Sequence, residues 1–237
     1  MSDPAKHGKI RTFGRRRGRP LRPGRAGLLS DLLPRIAVPD AALAAPPGSL
    51  DPLGLFDPRP KEVRLELGFG AGEHLAAQAR AHPDTGFIGC EPFENGVASL
   101  LRHVADGSLG NVRVLADDAR PLIDALADAS IAGLFILFPD PWPKKRHHER
   151  RIVSKEMLDK FARVLRAGGT LRLATDDLDY AAWMEALILS HPAFALQGGG
   201  MAKQGWRPED APMSRYEEKA RKKGDLPVFF ELTRKPG

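Results

Sequence analysis

The sequence has 237 residues, a net charge of +6 and a hydrophobic content of 42%. This length and composition are typical of one large globular domain and exclude a chain that is too polar to bury a core. The single cysteine, Cys90, excludes an intramolecular disulfide. The sequence has no apolar run near the roughly 20 residues of a membrane-spanning helix and no signal-peptide pattern, so we expect a cytoplasmic protein.

The positive charge is concentrated near the N-terminus. Residues 1–25 contain nine Lys or Arg and one acid, a net charge of +8, which leaves residues 26–237 at −2. A basic segment rich in Gly and Pro buries too little apolar surface to fold alone, but it suits contacts with phosphates. We therefore predict a flexible basic arm over residues 1–23. The alternatives are a solubilising tail and an organelle transit peptide, although Gly and Pro oppose the amphipathic helix of the latter.

Hydrophobic spacing divides the rest of the chain into two regions. Residues 24–60 predict a short helix (24–36) followed by a linker rich in Pro and Ala (37–60). Residues 61–237 alternate β-type runs with helical patterns, which predicts a Rossmann-like α/β domain with an open, doubly wound, mostly parallel seven-stranded sheet. The predicted strands are 63–67, 86–91, 112–115, 134–138, 170–174 and 228–233, with a weaker one near 194–196. The predicted helices are 73–80, 93–104, 121–127, 154–165 and 177–189.

Carboxylates occur at the ends of the first five predicted strands. Because the carboxyl ends of parallel strands meet at one edge of a sheet, we expect these side chains to gather there. Like charges gathered in one place repel each other unless a cationic or polar ligand offsets them. The acids are Glu66, Glu91, Asp117, Asp118, Asp140, Asp176 and Asp177.

A glycine-rich loop follows the first of these strands, with glycines at positions 68, 70 and 72. Such a loop lets a ligand approach the backbone closely, although a tight strand-to-helix turn alone would look the same. Three features disfavour a nicotinamide dinucleotide: the spacing is GxGxG, Glu66 would repel a pyrophosphate, and Glu91 can bind both ribose hydroxyls. S-adenosylmethionine has no phosphate and carries two positive charges. We therefore predict that Glu66, Gly68, Gly70 and Glu91 bind S-adenosylmethionine.

The segment after the fourth predicted strand combines an acid, an aromatic residue and a basic run. Asp140 and Trp142 can hydrogen-bond to a nucleic-acid base and stack on it, and five of the eight residues 144–151 are Lys or Arg. A lone basic run is more often a solvated helix start, but its place beside a strand-end acid favours phosphate binding. The adjacent His147, His148 and Glu149 lack a second ligand cluster with recognisable spacing, so we expect no metal.

These residues resemble the TrmB family, the bacterial tRNA (guanine-N7)-methyltransferases. The resemblance runs from about residue 10 to the C-terminus and depends on LELGFGAG (65–72), FPDPWPKKRHHERRIV (138–153) and ATD (174–176). It implies a class I S-adenosylmethionine-dependent methyltransferase fold and methyl transfer to N7 of a guanine in the variable loop of tRNA (position 46). It also implies that Glu66, Glu91, Asp118 and Asp140 contact the cofactor region and that Asp140 is the catalytic residue.

Substrate contacts are predicted from both the resemblance and the basic run. The resemblance includes a C-terminal string, here Ser214-Arg215-Tyr216-Glu217, in which the family has threonine at the position of Ser214; serine keeps the hydroxyl. Two alternatives stay open. The first is a non-enzymatic RNA-binding protein on this fold. The second is a methyltransferase that acts on exocyclic amines, because Asp140-Pro141-Trp142 loosely resembles the motif of those enzymes. Neither a monomer nor a homodimer is excluded. The predicted substrate-binding residues are Lys144, Arg146, Arg150, Arg151, Asp176, Ser214, Arg215, Tyr216 and Glu217.

Overall fold

Seven strands form one sheet in the computed structural model of the chain, which describes residues 16–212 and 226–236. Their order across the sheet is β3-β2-β1-β4-β5-β7-β6. β1 to β5 are parallel, and β7 runs antiparallel to both of its neighbours, β5 and β6. The predicted doubly wound, mostly parallel seven-stranded sheet is confirmed. The strands are β1 (Glu62–Leu67), β2 (Thr85–Cys90), β3 (Val112–Leu115), β4 (Ile131–Leu137), β5 (Leu165–Thr175), β6 (Phe194–Gly199) and β7 (Val228–Arg234).

Helices connect the strands and pack into two apolar clusters, as expected of a sheet that is covered on both faces. Side-chain caps fix two helix starts: Ser154 Oγ accepts from the amide of Met157 at 3.2 Å, and Asp177 Oδ1 accepts from the amide of Tyr180 at 2.8 Å. The helices are α1 (Pro23–Asp31), α2 (Leu33–Ile36), α3 (Asp40–Leu43), α4 (Glu73–Ala81), α5 (Glu94–Gly107), α6 (Arg120–Ala125), α7 (Lys155–Val164) and α8 (Leu178–Ser190), and short 3₁₀ helices span Pro52–Leu55, Lys145–Arg150 and Met201–Lys203.

Residues 24–60 differ from the prediction in two ways. The expected single helix is divided into α1 and α2, because Pro34 in the first turn of α2 has no amide to donate. The expected linker packs against the domain: the backbone of Leu50 bonds to residues 125 and 127, and Phe56 is buried in the core. Its apolar residues lack helical or strand periodicity, so the spacing alone gave no sign of this packing.

The order in which successive strands are added to the sheet changes sides at β1, which lies between β2 and β4. From β1 the chain proceeds outwards through β2 and β3, and it then returns to β4 on the other side. The crossover helices therefore diverge on either side of β1 and leave a crevice beyond the carboxyl ends of these strands. This edge carries the glycine loop and the strand-end acids.

Candidate active site

A cleft of about 480 Å³ opens at this edge. The glycine loop, the ends of β1 and β2, the segment after β3 and the loop after β4 all contribute to its walls. The structure brings together all six residues predicted to bind the cofactor, which line this one cleft: Glu66, Gly68, Gly70, Glu91, Asp118 and Asp140.

The glycine loop requires its glycines for conformation and for space. Gly68 and Gly70 have φ angles of 71° and 58°, in the left-handed region that side chains with a Cβ rarely adopt. Helix α5 packs directly on the loop, since a Cβ added to Gly96 would lie 2.3 Å from the carbonyl oxygen of Gly70. The close approach of α5 therefore holds the loop in place beneath the cleft.

Glu91 follows β2 and bonds to two backbone amides. Its Oε2 accepts from Gly70 at 2.8 Å, and its Oε1 accepts from Phe93 at 3.0 Å. Burial raises the pKa of Glu91 above its ordinary value; the two amides lower it, and the charges of Asp140 and Glu66 raise it further. The carboxylate is thus fixed in direction and retains lone pairs for hydroxyl donors.

Two adjacent acids follow β3, and each has a different partner. Asp118 accepts a hydrogen bond from the backbone amide of Arg120 at 2.8 Å and is largely buried. Asp117 is half exposed and forms an ion pair with Arg16. The predicted basic arm therefore reaches the wall of the cleft at Arg16, in the part of the arm that is described.

Asp140 is exposed on a loop with unusual backbone geometry. Phe138 and Trp142, on either side of it, have φ angles of 54° and 47°. A left-handed conformation costs a residue with a Cβ roughly 1–2 kcal/mol, so the surrounding structure must impose it. One such restraint is the bond from the amide of Phe138 to the carbonyl oxygen of Ala174 in β5, at 2.8 Å. Strain of this kind is concentrated at functional loops.

Arg151 does not lie where a phosphate could reach it, which corrects the prediction that it contacts substrate. Its side chain is 1% exposed. It donates to the carbonyl oxygen of Pro141 at 2.9 Å and to Asp179 at 2.6 Å, and its guanidinium lies over the rings of Tyr180 and Trp183. Arg151 therefore anchors the Asp140 loop to α8. The basic run in the sequence did not distinguish this buried arginine from its exposed neighbours.

Two residues of the run contact Trp142 at the mouth of the cleft, and others are exposed near them in the chain. Arg150 lines the cleft with its guanidinium 5.1 Å from the ring centre of Trp142, and His147 meets the same ring edge-on at 6.0 Å. Lys144 and Arg146 are exposed. Desolvation, and then the nearby positive charges of the run, lower the pKa of His147. The segment thus presents cations beside an aromatic ring.

The other residues predicted to bind substrate are not seen at the cleft in the described part of the chain. Asp176 is exposed just after β5 but does not line the cleft. The C-terminal string of Ser214, Arg215, Tyr216 and Glu217 lies outside the described residues, so its predicted role remains a prediction.

His74 also lines the cleft, and the sequence analysis did not select it. Its Nδ1 lies 2.7 Å from Oε2 of Glu66, and both side chains are buried. The only available signal was its position in the first turn after the glycine loop, eight residues beyond Glu66. Within residues 16–212 and 226–236, no cluster of His, Cys, Asp and Glu is arranged to hold a metal ion, and no helix is long and apolar enough to cross a membrane.

Comparisons with known proteins agree with this architecture. Among solved structures, that of the 16S rRNA methyltransferase KamB superposes with a TM-score of 0.54 at 18% identity, over 75% of this chain and 89% of the other; this likeness concerns the fold. A family model described as "Putative methyltransferase" matches residues 60–229.

Close relatives cover almost the whole chain. The tRNA (guanine-N(7)-)-methyltransferase of Paramagnetospirillum magneticum is 49% identical over 226 residues, which are 95% of this chain and 93% of the relative. The protein of the same name from Caulobacter vibrioides is 47% identical over 229 residues, 96% of both chains. The chain therefore belongs to the tRNA (guanine-N7-)-methyltransferase family.

Proposed function

We propose that this chain transfers a methyl group from S-adenosylmethionine to N7 of a guanine in tRNA, at position 46 of the variable loop. The observation that carries the proposal is the arrangement of charge around one cleft. Acids line it, Asp140 stands exposed at its mouth, and Trp142, two residues further along the same loop, lies against the guanidinium of Arg150. Relatives named for this activity match nearly the full chain, which supports the same conclusion.

The residues of the cleft fit S-adenosylmethionine. Glu91 retains lone pairs for two ribose hydroxyls because each of its oxygens accepts one backbone amide. Gly68 and Gly70 let the ligand pass close to the backbone, and among the described residues no atom beyond the chain neighbours of Gly68 lies within 4 Å of a Cβ added there. Glu66 offers a carboxylate to the cationic methionine portion, Asp118 a further acceptor, and Asp140 a charge near the methyl group. When bound, S-adenosylmethionine supplies an electrophilic methyl group on its sulfonium.

Asp140 is the proposed catalytic residue, and its role is to position the base. N7 of guanine has an exposed lone pair, so no residue has to remove a proton from it. Asp140 can accept hydrogen bonds from the N–H groups of the Watson–Crick edge, which orients the base and offsets the positive charge that grows on the ring. Most of the rate enhancement then comes from positioning and electrostatics.

The tRNA is bound by the surface around this mouth. Lys144, Arg146 and Arg150 suit contacts with phosphates, and Trp142 offers a ring on which an unstacked base can lie. Asp176 and the C-terminal string, Ser214, Arg215, Tyr216 and Glu217, are further proposed substrate contacts. The basic arm over residues 1–23 adds electrostatic attraction to the RNA backbone. We place this chemistry in the cytoplasm, in a monomer or a homodimer.

The test is methyl transfer from labelled S-adenosylmethionine to bulk tRNA from a strain that lacks the modification. Borohydride followed by aniline cleaves RNA at N7-methylguanine, so cleavage at the labelled position identifies the product. We expect strand scission in the variable loop. Labelled tRNA that resists cleavage would instead indicate an exocyclic amine product, and a chain that binds tRNA without transferring label would be an RNA-binding protein.

A further inference from the structure

A row of side chains crosses the sheet on the face that α4 covers. The strand register pairs Glu66 of β1 with Phe135 of β4, Phe135 with Arg172 of β5, and Arg172 with Glu231 of β7. Directly paired residues point to the same face of a sheet. His74 of α4 packs on this row, with its ring edge-on to Phe135 at 5.0 Å.

The one permanently charged cation of this row is paired with acids other than Glu66. Arg172 donates to Asp210 at 2.8 Å and to Glu231 at 3.2 Å, and its guanidinium lies 5.6 Å from the ring centre of Phe135. Phe135 thus separates Arg172 from Glu66 along the row. The side chain that does contact Glu66 is His74.

The contact between His74 and Glu66 is short and buried. Nδ1 of His74 lies 2.7 Å from Oε2 of Glu66, and the two side chains are 5% and 3% exposed. Across the described ranges, Nε2 of His74 has no hydrogen-bond partner, so Glu66 is the polar partner of this imidazole. An apolar ring would be buried here at lower cost in free energy. We therefore attribute the polar role of His74 to its contact with Glu66.

We propose that His74 is a positioning residue, which holds Oε2 of Glu66 so that the carboxylate meets the bound methyl donor in one orientation. The inference rests on the proposed function, because it concerns how Glu66 meets S-adenosylmethionine. His74 and Glu66 both line the cleft, and Oε2 is occupied by His74, which leaves Oε1 to the ligand. A carboxylate that is ordered beforehand loses less conformational freedom on binding than one that is free to rotate.

Three substitutions test the role of Nδ1. In H74N the amide nitrogen can take the place of Nδ1, whereas in H74Q it takes the place of Nε2. H74F keeps a ring of similar size without a donor. We expect calorimetric titration with S-adenosylmethionine, in the absence of tRNA, to give a Kd within about threefold of wild type for H74N. For H74Q and H74F we expect a Kd about tenfold higher, the lower end of the effect of losing a partner that orients a ligating residue.

His191 supplies a matched control. It is a buried histidine whose Nε2 lies 3.1 Å from Asp159, and it does not line the cleft. H191F removes the contact between a buried histidine and an exposed carboxylate, together with the bond that Nδ1 of His191 accepts from the amide of Ala193, so we expect it to lower the Tm without changing the Kd for S-adenosylmethionine. A general loss of stability is thereby separated from a loss of positioning.

The outcomes are distinct. If H74N and H74Q have the same Kd, or if H74F binds as wild type does, His74 does not position Glu66. If H74F does not fold, the comparison of H74N with H74Q decides the question alone. Wild-type protein that fails to bind S-adenosylmethionine would overturn the proposed function itself, whereas tight wild-type binding with equal values for all His74 variants would overturn only this inference.

Discussion

Arg151 donates a hydrogen bond from Nε to the carbonyl oxygen of Pro141 at 2.9 Å, ten residues earlier in the chain. Pro141 directly follows Asp140, so a buried guanidinium holds the loop that presents the proposed catalytic residue. The same guanidinium bonds to Asp179 and lies over Tyr180 and Trp183. Burial raises the pKa of Tyr180 to about 12, so its hydroxyl stays neutral and the stack keeps its geometry at ordinary pH.

We predict that R151M lowers both stability and turnover. Loss of a charged hydrogen-bond donor from a buried site should decrease the free energy of unfolding by about 2 kcal/mol, and a displaced Asp140 should lower kcat by about tenfold or more. Denaturant unfolding and steady-state kinetics measure the two effects. R146M is the matched control, because Arg146 is exposed in the same basic run. It should raise KM for tRNA and leave unfolding unchanged.

We predict that D140N lowers kcat by about a hundredfold, since losing one preorganised electrostatic contact typically has this effect. Glu66, Glu91 and Asp118 remain in the cleft, so the Kd for S-adenosylmethionine should change only a few-fold. Single-turnover transfer and calorimetry separate the two quantities. The control is D106N, which alters an exposed acid paired with Arg102 on α5. Transfer by D140N at a near wild-type rate, with cofactor still bound, would remove Asp140 from its role.

The raised pKa of Glu91 predicts that cofactor affinity depends on pH. Burial is the main cause of the shift, and Asp140 and Glu66 add to it. Ionised Glu91 accepts the ribose hydroxyls, so affinity should be highest above the raised pKa and should fall as pH drops through it. Calorimetry across a pH series tests this, and E91Q should bind weakly with a flatter profile.

The raised pKa of Glu91 has the opposite effect on the stability of the protein without ligand, which should decrease rather than increase with pH. A folded-state pKa above the unfolded value means that the folded protein binds the proton more tightly. From this group alone, the free energy of unfolding therefore decreases as pH rises from the unfolded pKa through the raised one. E91Q should remove this contribution, and a pH dependence identical to wild type would contradict it.

We predict that G96A destabilises the protein and weakens cofactor binding. Its Cβ would lie 2.3 Å from the carbonyl oxygen of Gly70, so α5 or the glycine loop must move. Such overpacking typically costs about 1–3 kcal/mol. G27A provides the comparison within α1, where no atom of the described residues outside the neighbouring helix backbone lies within 4 Å of the added Cβ. For G27A the free energy of unfolding should increase by about 0.5–1 kcal/mol. An equal change in the free energy of unfolding for G96A and G27A would refute the packing argument.

Removal of residues 1–15 should weaken tRNA binding and make the binding constant less sensitive to salt concentration. The deleted segment carries Lys6, Lys9, Arg11 and Arg15, whereas Arg16 and Arg17 remain with their partners Asp117 and Glu94. Each lost phosphate contact should reduce the slope of log K against log salt by about 0.9. Filter binding over a salt series measures the slope, and unchanged affinity throughout would contradict a role for the arm in binding RNA.

Local patterns were enough to predict the sheet and the location of the cleft. Alternation of β-type runs with helical spacing predicted every strand, although β5 begins five residues earlier and β4 three residues earlier than predicted. Parallel topology then placed Glu66, Glu91, Asp118 and Asp140 at one edge. The same patterns failed over residues 37–60, where Leu50 and Phe56 pack against the domain without any regular period. Packing between distant segments leaves no periodic trace in a sequence.

The sequence by itself determined that Glu66, Glu91, Asp118 and Asp140 reach one cleft, because a strand pattern and an acid at its end are local properties. Only the tertiary structure decided how those groups are held. It placed Arg151 under the Asp140 loop rather than on the surface, and it set His74 against Glu66 in the cleft. Burial and partner choice depend on residues that are far apart in the chain, and charge or residue type alone does not encode them.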